Sequence, residues 1–157
     1  MKPVIRKASI EDISSIHELV GELARYEQGE SEFIATIDEY GEDFRNGVFH
    51  ALVAESGGEV IGMALYYMTY STWKGKMLYL EDFVVRESHR RMGVGARLFE
   101  AFLDEARGLE CRMVKWQVLD WNKPALDFYE KYSAIIEREW WNGKIFLDQK
   151  GRAIGPS

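Results

Sequence analysis

Met77-Leu78-Tyr79-Leu80-Glu81-Asp82-Phe83-Val84-Val85, followed closely by Arg90-Arg91-Met92-Gly93-Val94-Gly95, is the stretch that decides the fold. Its first half is apolar and β-rich and reads as a strand over about 77–86. Then the period changes. Leu98, Phe99, Phe102, Leu103 and Ala106 share one helical face, and Gly108 ends that helix. The two glycines therefore lie between a strand and a helix. Glycine lets the backbone approach a ligand there, and the unpaired N–H groups of a helix N-terminus favour an anion. A nucleotide P-loop is excluded, because no Gly-Lys-Ser/Thr is present. A dinucleotide fingerprint is excluded too, since Leu98 stands where its third glycine is needed. Arg86, Arg90, Arg91 and Arg97 crowd the stretch, which favours a pyrophosphate site over a plain glycine-opened helix with a solvated basic rim.

Working outward, residues 2–7 form a short strand. Ile13, Ile16, Leu19, Val20 and Leu23 mark a helix over about 10–27, with Ser9 and Asp12 as a variant capping box. A shorter helix runs from about 36 to 45. A hairpin pairs 48–55 with 60–70 around Ser56-Gly57-Gly58, and Trp73-Lys74-Gly75 turns the chain into the 77–86 strand. After the central helix come a strand at 113–119, a helix at 122–132 and two more strands within about 134–148. Residues 150–157 read as a frayed tail. The order β-α-α-β-β-β-α-β-α-β-β implies one α/β domain over 1–149, with a mixed sheet and helices on both faces.

Composition narrows the partners. The chain has 157 residues, enough for one core without metal or disulfide support. Its net charge of −6 argues against nucleic acid and is compatible with a cationic substrate. The single cysteine, Cys111, forms no internal disulfide and reads as a packed thiol in a reducing compartment. No signal-peptide pattern or membrane-length apolar run occurs, so a cytoplasmic enzyme without a membrane partner is expected. His17, His50 and His89 lack ligand spacing, and no metal site is expected.

Two further features carry chemistry. Glu81-Asp82 puts adjacent carboxylates inside an apolar strand, which is costly unless they are paired, solvated by a cavity or needed for chemistry. A general base or an ammonium anchor is favoured over a salt-bridged edge strand. Successive strand residues face opposite sides, so the pair can serve one site only through a bulge. In Asp120-Trp121-Asn122-Lys123-Pro124-Ala125, Asn122 is a good N-cap. Asn122 and Tyr129 are about two helical turns apart, roughly 10 Å along one face. By itself Tyr129 reads as a core aromatic beside Phe128 and Tyr132.

Together these residues resemble the GNAT superfamily of N-acetyltransferases over roughly residues 3–148. The arginine-glycine run carries its acetyl-CoA signature. Leu78-Tyr79-Leu80-Glu81-Asp82-Phe83, Tyr26-Glu27, Tyr66-Tyr67, Trp121-Asn122 and Tyr129 resemble the diamine and thialysine acetyltransferase branch. The resemblance implies a mostly antiparallel sheet and a homodimer. It implies that acetyl-CoA is held by Phe83, Val84 and Val85, by the backbone of Arg90, Arg91, Met92, Gly93, Val94, Gly95 and Ala96, and by Asn122 and Tyr129. Glu81 would be the base and Tyr129 the acid, while Tyr26, Glu27, Trp73, Glu81 and Asp82 would line the site of a small cationic amine. Ser71 replaces an acidic residue of the polyamine enzymes, and with Tyr70-Ser71-Thr72-Trp73 the chain is closer to the thialysine branch. Ser133-Ala134 departs from that family's glycine turn. An acetyltransferase for proteins or peptides and a non-catalytic acetyl-CoA-binding module are the competing readings.

Overall fold

A computed structural model describes residues 2–155. The chain divides into two compact units, residues 1–119 and 120–157. In the first, strand β1 (Val4–Lys7) leads through a single 3-10 turn (Ile10–Asp12) into helix α1 (Ile13–Tyr26), then helix α2 (Ile37–Arg45). Strands β2 (His50–Ser56), β3 (Glu59–Ser71) and β4 (Gly75–Val85) follow, then helix α3 (Val94–Gly108) and strand β5 (Met113–Trp116). The sheet order is β1-β2-β3-β4-β5, antiparallel throughout except for the parallel β4–β5 pair. Element order and sheet type are those the sequence implies.

Local chemistry sets the helix starts. The Asp12 carboxylate accepts from the Ser9 N–H at 2.8 Å and takes the Arg6 guanidinium at 2.8 and 3.0 Å. Arg6 thereby holds the nearly buried Asp12 carboxyl below its ordinary range and ties α1 to β1. Helix α2 opens with a reciprocal cap between Thr36 and Glu39, at 3.1 and 3.2 Å.

Alternation along the strands then sorts the two sheet faces. Ala51, Val53, Met63, Leu65 and Val84 pack with Ile13, Ile16, Leu19 and Val20 of α1. The opposite face carries α3: Phe102 meets the Tyr66 ring at 5.6 Å, and Phe99 meets Phe83 at 5.8 Å and Trp116 at 5.7 Å. Gly62 lies under Leu98, where an added Cβ would come within 3.2 Å of its Cδ1 and 3.0 Å of the Val84 carbonyl. Helices thus cover both faces. Phe102 has no solvent exposure. Phe102→Ala is expected to cost about 3–5 kcal/mol, read from the urea midpoint at unchanged m-value. A loss below about 1 kcal/mol would contradict this packing account.

The second unit holds helix α4 (Lys123–Glu130) and the two-stranded pair β6 (Phe146–Leu147) and β7 (Ala153–Ile154). Asn122 caps α4, its Oδ1 accepting from the Ala125 N–H at 3.4 Å. The two strands expected within 134–148 shrink to β6 alone. Residues 134–145 are rich in β-formers, but no ladder partner is present among the described residues, and Ile135 and Trp141 are 87% and 93% exposed. The expected tail instead contains β7. The Asp148 carboxylate accepts from the N–H groups of Lys150 and Arg152, both at 2.9 Å, and Gly151 takes φ +78°, which folds the chain back. Residues 156–157 of that expected tail lie outside the described residues.

Candidate active site

The ladder between β3 and β4 slips by one residue at the adjacent carboxylates. Leu65 pairs with Asp82, but Tyr66 pairs with Leu80, so Glu81 is the extra residue of a β-bulge. Asp82 shares the α1 face with Val84. Glu81, which strict alternation would send to the other face, also reaches the α1 side, where the Tyr67 hydroxyl donates to it at 3.3 Å. The bulge therefore brings both carboxylates to one face, the condition the sequence imposed without being able to show it.

Around them stand groups of one sign. Glu27 at the C-cap of α1 is held above the ordinary carboxylate range, by burial and then by the charge of Glu81. Asp82, well enclosed, is pushed up to about 7 by burial, then by Glu81 and Glu27. Tyr40 of α2 and Tyr67 of β3 are each raised to about 12, and Tyr79 is raised as well. Burial is the main cause in all three, with the charges of Glu81 and Asp82 adding to it. The Tyr67 and Tyr79 rings stack at 5.5 Å. Among the described residues, no lysine or arginine forms an ion pair with Glu27, Glu81 or Asp82. Three carboxylates and three phenols without a cation make a site that a cationic ligand completes. Tyr40 and Tyr79 were not singled out in the sequence. Tyr79 could have been found from its place two residues before Glu81, but Tyr40 arrives from a helix about 40 positions away and leaves no local signal.

The glycine run lies at the start of α3. Arg91 and Gly93 take positive φ, +65° and +78°, and Gly93 is the N-cap. The first intrahelical bond runs from the Arg97 N–H to the Gly93 carbonyl at 3.2 Å, so the N–H groups of Gly93, Val94, Gly95 and Ala96 have no intrahelical partner. At Gly95 neither φ nor packing demands glycine, since a Cβ would make only ordinary contact with Phe83 and Val85 at 3.7 and 3.9 Å. What its hydrogen leaves free is room for a ligand against the backbone.

Of the four arginines, only Arg86 has its charge compensated by carboxylates among the described residues. Arg86 is tied to Glu22 at 3.1 Å, Glu18 at 3.5 Å and Glu59 at 3.7 Å, and its Nε donates to the Val60 carbonyl. Arg97 donates to the Pro3 carbonyl, and Arg90 to the Val85 carbonyl at 2.8 Å with its guanidinium 6.0 Å from the Tyr26 ring centre. Of the four, Arg91 alone makes no side-chain bond among the described residues. Arg90, Arg91 and Arg97 form no ion pair among the described residues, so their charge adds to the backbone N–H groups that this loop offers an anion.

One more opening belongs here. The parallel β4–β5 ladder ends at Leu80 with Trp116, while β4 continues to Val85. From Glu81 onward the β5-side edge of β4, including Phe83 and Val85, therefore has no strand beside it among the described residues. Such an edge can pair with an extended, amide-bearing ligand.

The other expected residues fall elsewhere. Tyr26 is part-exposed at the end of α1. Trp73 sits in the β3–β4 turn and is 85% exposed; Glu81 lies six residues beyond Gly75, the first residue of β4, roughly 20 Å along the strand. Within this chain it is not brought to the carboxylates. In the second unit, Asn122 caps α4 and Tyr129 is a buried residue of the same helix, its ring 5.5 Å from Phe128. No cluster of His, Cys, Asp and Glu that could hold a metal occurs among the described residues, and no described helix is long and apolar enough to cross a membrane.

Residues 13–134 match the model of the acetyltransferase (GNAT) family. The chain is 36% identical over 154 residues to the thialysine N-epsilon-acetyltransferase of Bos taurus, covering 88% of this chain and 89% of that protein. It is 32% identical over 143 residues to the human spermidine/spermine N(1)-acetyltransferase-like protein 1, covering 83% of this chain and 20% of that longer protein. In fold it is similar to an aminoglycoside acetyltransferase from an uncultured soil metagenomic sample, with TM-score 0.77, 18% identity and coverage of 93% and 97% of the two chains.

Proposed function

We propose that this chain, which belongs to the acetyltransferase (GNAT) family, transfers the acetyl group of acetyl-CoA to the primary amine of a small cationic substrate, a thialysine-like amino acid before a polyamine. The observation that carries the substrate class is the cluster of Glu27, Glu81 and Asp82, with no cation of the described residues paired to it. A lone ammonium with an apolar arm matches it in sign, and the stacked Tyr67 and Tyr79 rings offer a wall for the arm.

Acetyl-CoA fits the residues present. The free N–H groups at the start of α3 and the backbone of residues 90–93 suit its pyrophosphate. The edge of β4 beyond Leu80, which no strand of the described residues flanks, suits the amides of its pantetheine arm. When bound it supplies the activated thioester. The rest falls to the chain. An alkylammonium near pKa 10 is no nucleophile at neutral pH, so a carboxylate at its nitrogen must take a proton before attack. Glu81 serves as that base and Asp82, next to it on the same face, anchors the charge. Tyr129 donates the proton the departing sulfur needs. The same reading includes the homodimer usual in this branch.

A thiol-release assay with acetyl-CoA across thialysine, lysine, putrescine, spermidine and a short lysine peptide tests the assignment. Thialysine is expected to give the highest kcat/KM, with spermidine at least about tenfold lower, one ionic contact's worth. Turnover of the peptide alone would overturn the small-amine reading, and turnover of none would leave a binding module. If only spermidine reacted well, the weight placed on Ser71 would be wrong.

A further inference from the structure

A second recess lies at the end of the sheet where β1 stops and β2 begins, between the C-terminal end of α3 and Phe44 of α2. It is a pocket of about 260 Å³ under the C-terminal half of α3. Tyr66 reaches it from the α3 side of the sheet, where its ring also packs on Phe102. Tyr66 is only 3% exposed, yet its hydroxyl makes no hydrogen bond among the described residues. Nor is that hydroxyl sealed in the core. Among the described residues, the one fully enclosed side-chain polar atom without a partner is Glu22 Oε2. The phenol therefore opens into the pocket. An acceptor placed in the pocket can take the hydrogen bond that this hydroxyl offers.

The rest of the lining defines what fits. Burial, and then the charge of Glu105, raise the Tyr66 phenol to about 12, so it stays protonated and keeps its hydrogen available to donate. Lys7 and Glu105 pair with each other at 3.5 Å, which leaves no uncompensated charge for an ionic ligand. The His50 ring lies 5.9 Å from the Tyr66 ring at an interplanar angle of 32°, forming an aromatic wall. Met68 and Leu109 complete an apolar surround. A cavity of about 150 Å³ accommodates benzene, so this one has room for a ring and a short polar arm, but not for a coenzyme.

We propose that this pocket is a second ligand site, which takes a small uncharged aromatic compound bearing an acceptor oxygen, such as an aryl amide. Tyr66 donates to that oxygen, and the ring lies along His50. The site is separate from the amine cluster because register puts Tyr66 and the carboxylates on opposite faces of the sheet.

The full-length protein carrying ¹³C-methyl methionine gives a direct readout. The Met68 methyl, assigned through Met68→Leu, borders the pocket. Titration with benzamide is expected to shift it saturably, while benzoate, benzylamine and toluene shift it far less. Tyr66→Phe is expected to weaken benzamide about tenfold, the value of one hydrogen bond. Leu109→Trp, which fills the pocket from its rim, should abolish the shift. No saturable shift with benzamide would overturn the proposal. So would undiminished affinity in Tyr66→Phe, or equal binding of the charged analogues.

Discussion

Glu81→Gln is expected to lower kcat/KM for the best amine by about 10²–10³, the range of a positioned general base. The amide keeps the shape of the side chain and its contact with the Tyr67 hydroxyl but cannot take the ammonium's proton. Asp82→Asn should behave differently, and the contrast is the informative part. Burial with Glu81 and Glu27 holds the Asp82 carboxyl at about 7, above the ordinary value of 3.8. A raised carboxyl favours the folded state while it is protonated. That gain is complete below the ordinary carboxylate range and is lost as the pH rises through about 7. The wild-type Tm should therefore fall as pH climbs towards 8, and Asp82→Asn should remove that fall and exceed the wild type in Tm at about pH 8. Ammonium binding has the opposite preference, because it requires the ionised form. In the wild type the KM for amine should decrease between about pH 6 and 8, and in Asp82→Asn it should be higher and flat across that interval. A Glu81→Gln enzyme with an unchanged pH–rate profile would remove Glu81 from the role of base. A wild-type KM that does not vary across that interval would remove Asp82 as the anchor.

Tyr129→Phe is the second large effect. The substitution deletes one oxygen from a buried ring and leaves its packing beside Phe128 intact. If the phenol protonates the leaving sulfur, kcat should fall about 10²-fold with little change in either KM, because the contact matters chiefly as the thiolate departs. A variant that retained the wild-type kcat on a good amine would return Tyr129 to a core residue, the role its spacing with Phe128 and Tyr132 gives it in isolation.

The legible parts of the molecule share a physical basis. Helix α1 could be read because Ile13, Ile16, Leu19 and Val20 follow the helical period, and all four are buried against the sheet. The β3–β4 hairpin could be read from alternation and from a turn that needs a glycine, and Gly75 does take φ +98°. Residues 134–145 could not. Their β-formers state a preference, and a strand exists only where another strand pairs with it. The arginine count misled in one of its four members for a similar reason. Their number in the sequence is a fact about charge, but Arg86 is neutralised by glutamates from α1 and β3, which no local window contains.

The Arg90–Gly95 run and the Glu81-Asp82 pair mark the division. By itself the sequence determined a strand, a glycine turn and a helix, because propensity, period and the conformational freedom of glycine are local properties. It also determined that two carboxylates stood where an apolar strand should bury its side chains. Only the tertiary structure decided that they act on one face. That depended on a one-residue slip against β3, and register is set by two strands together. Tyr40 from α2 and Glu27 from the end of α1 were added in the same way, by packing that brings distant residues to one charge-bearing site.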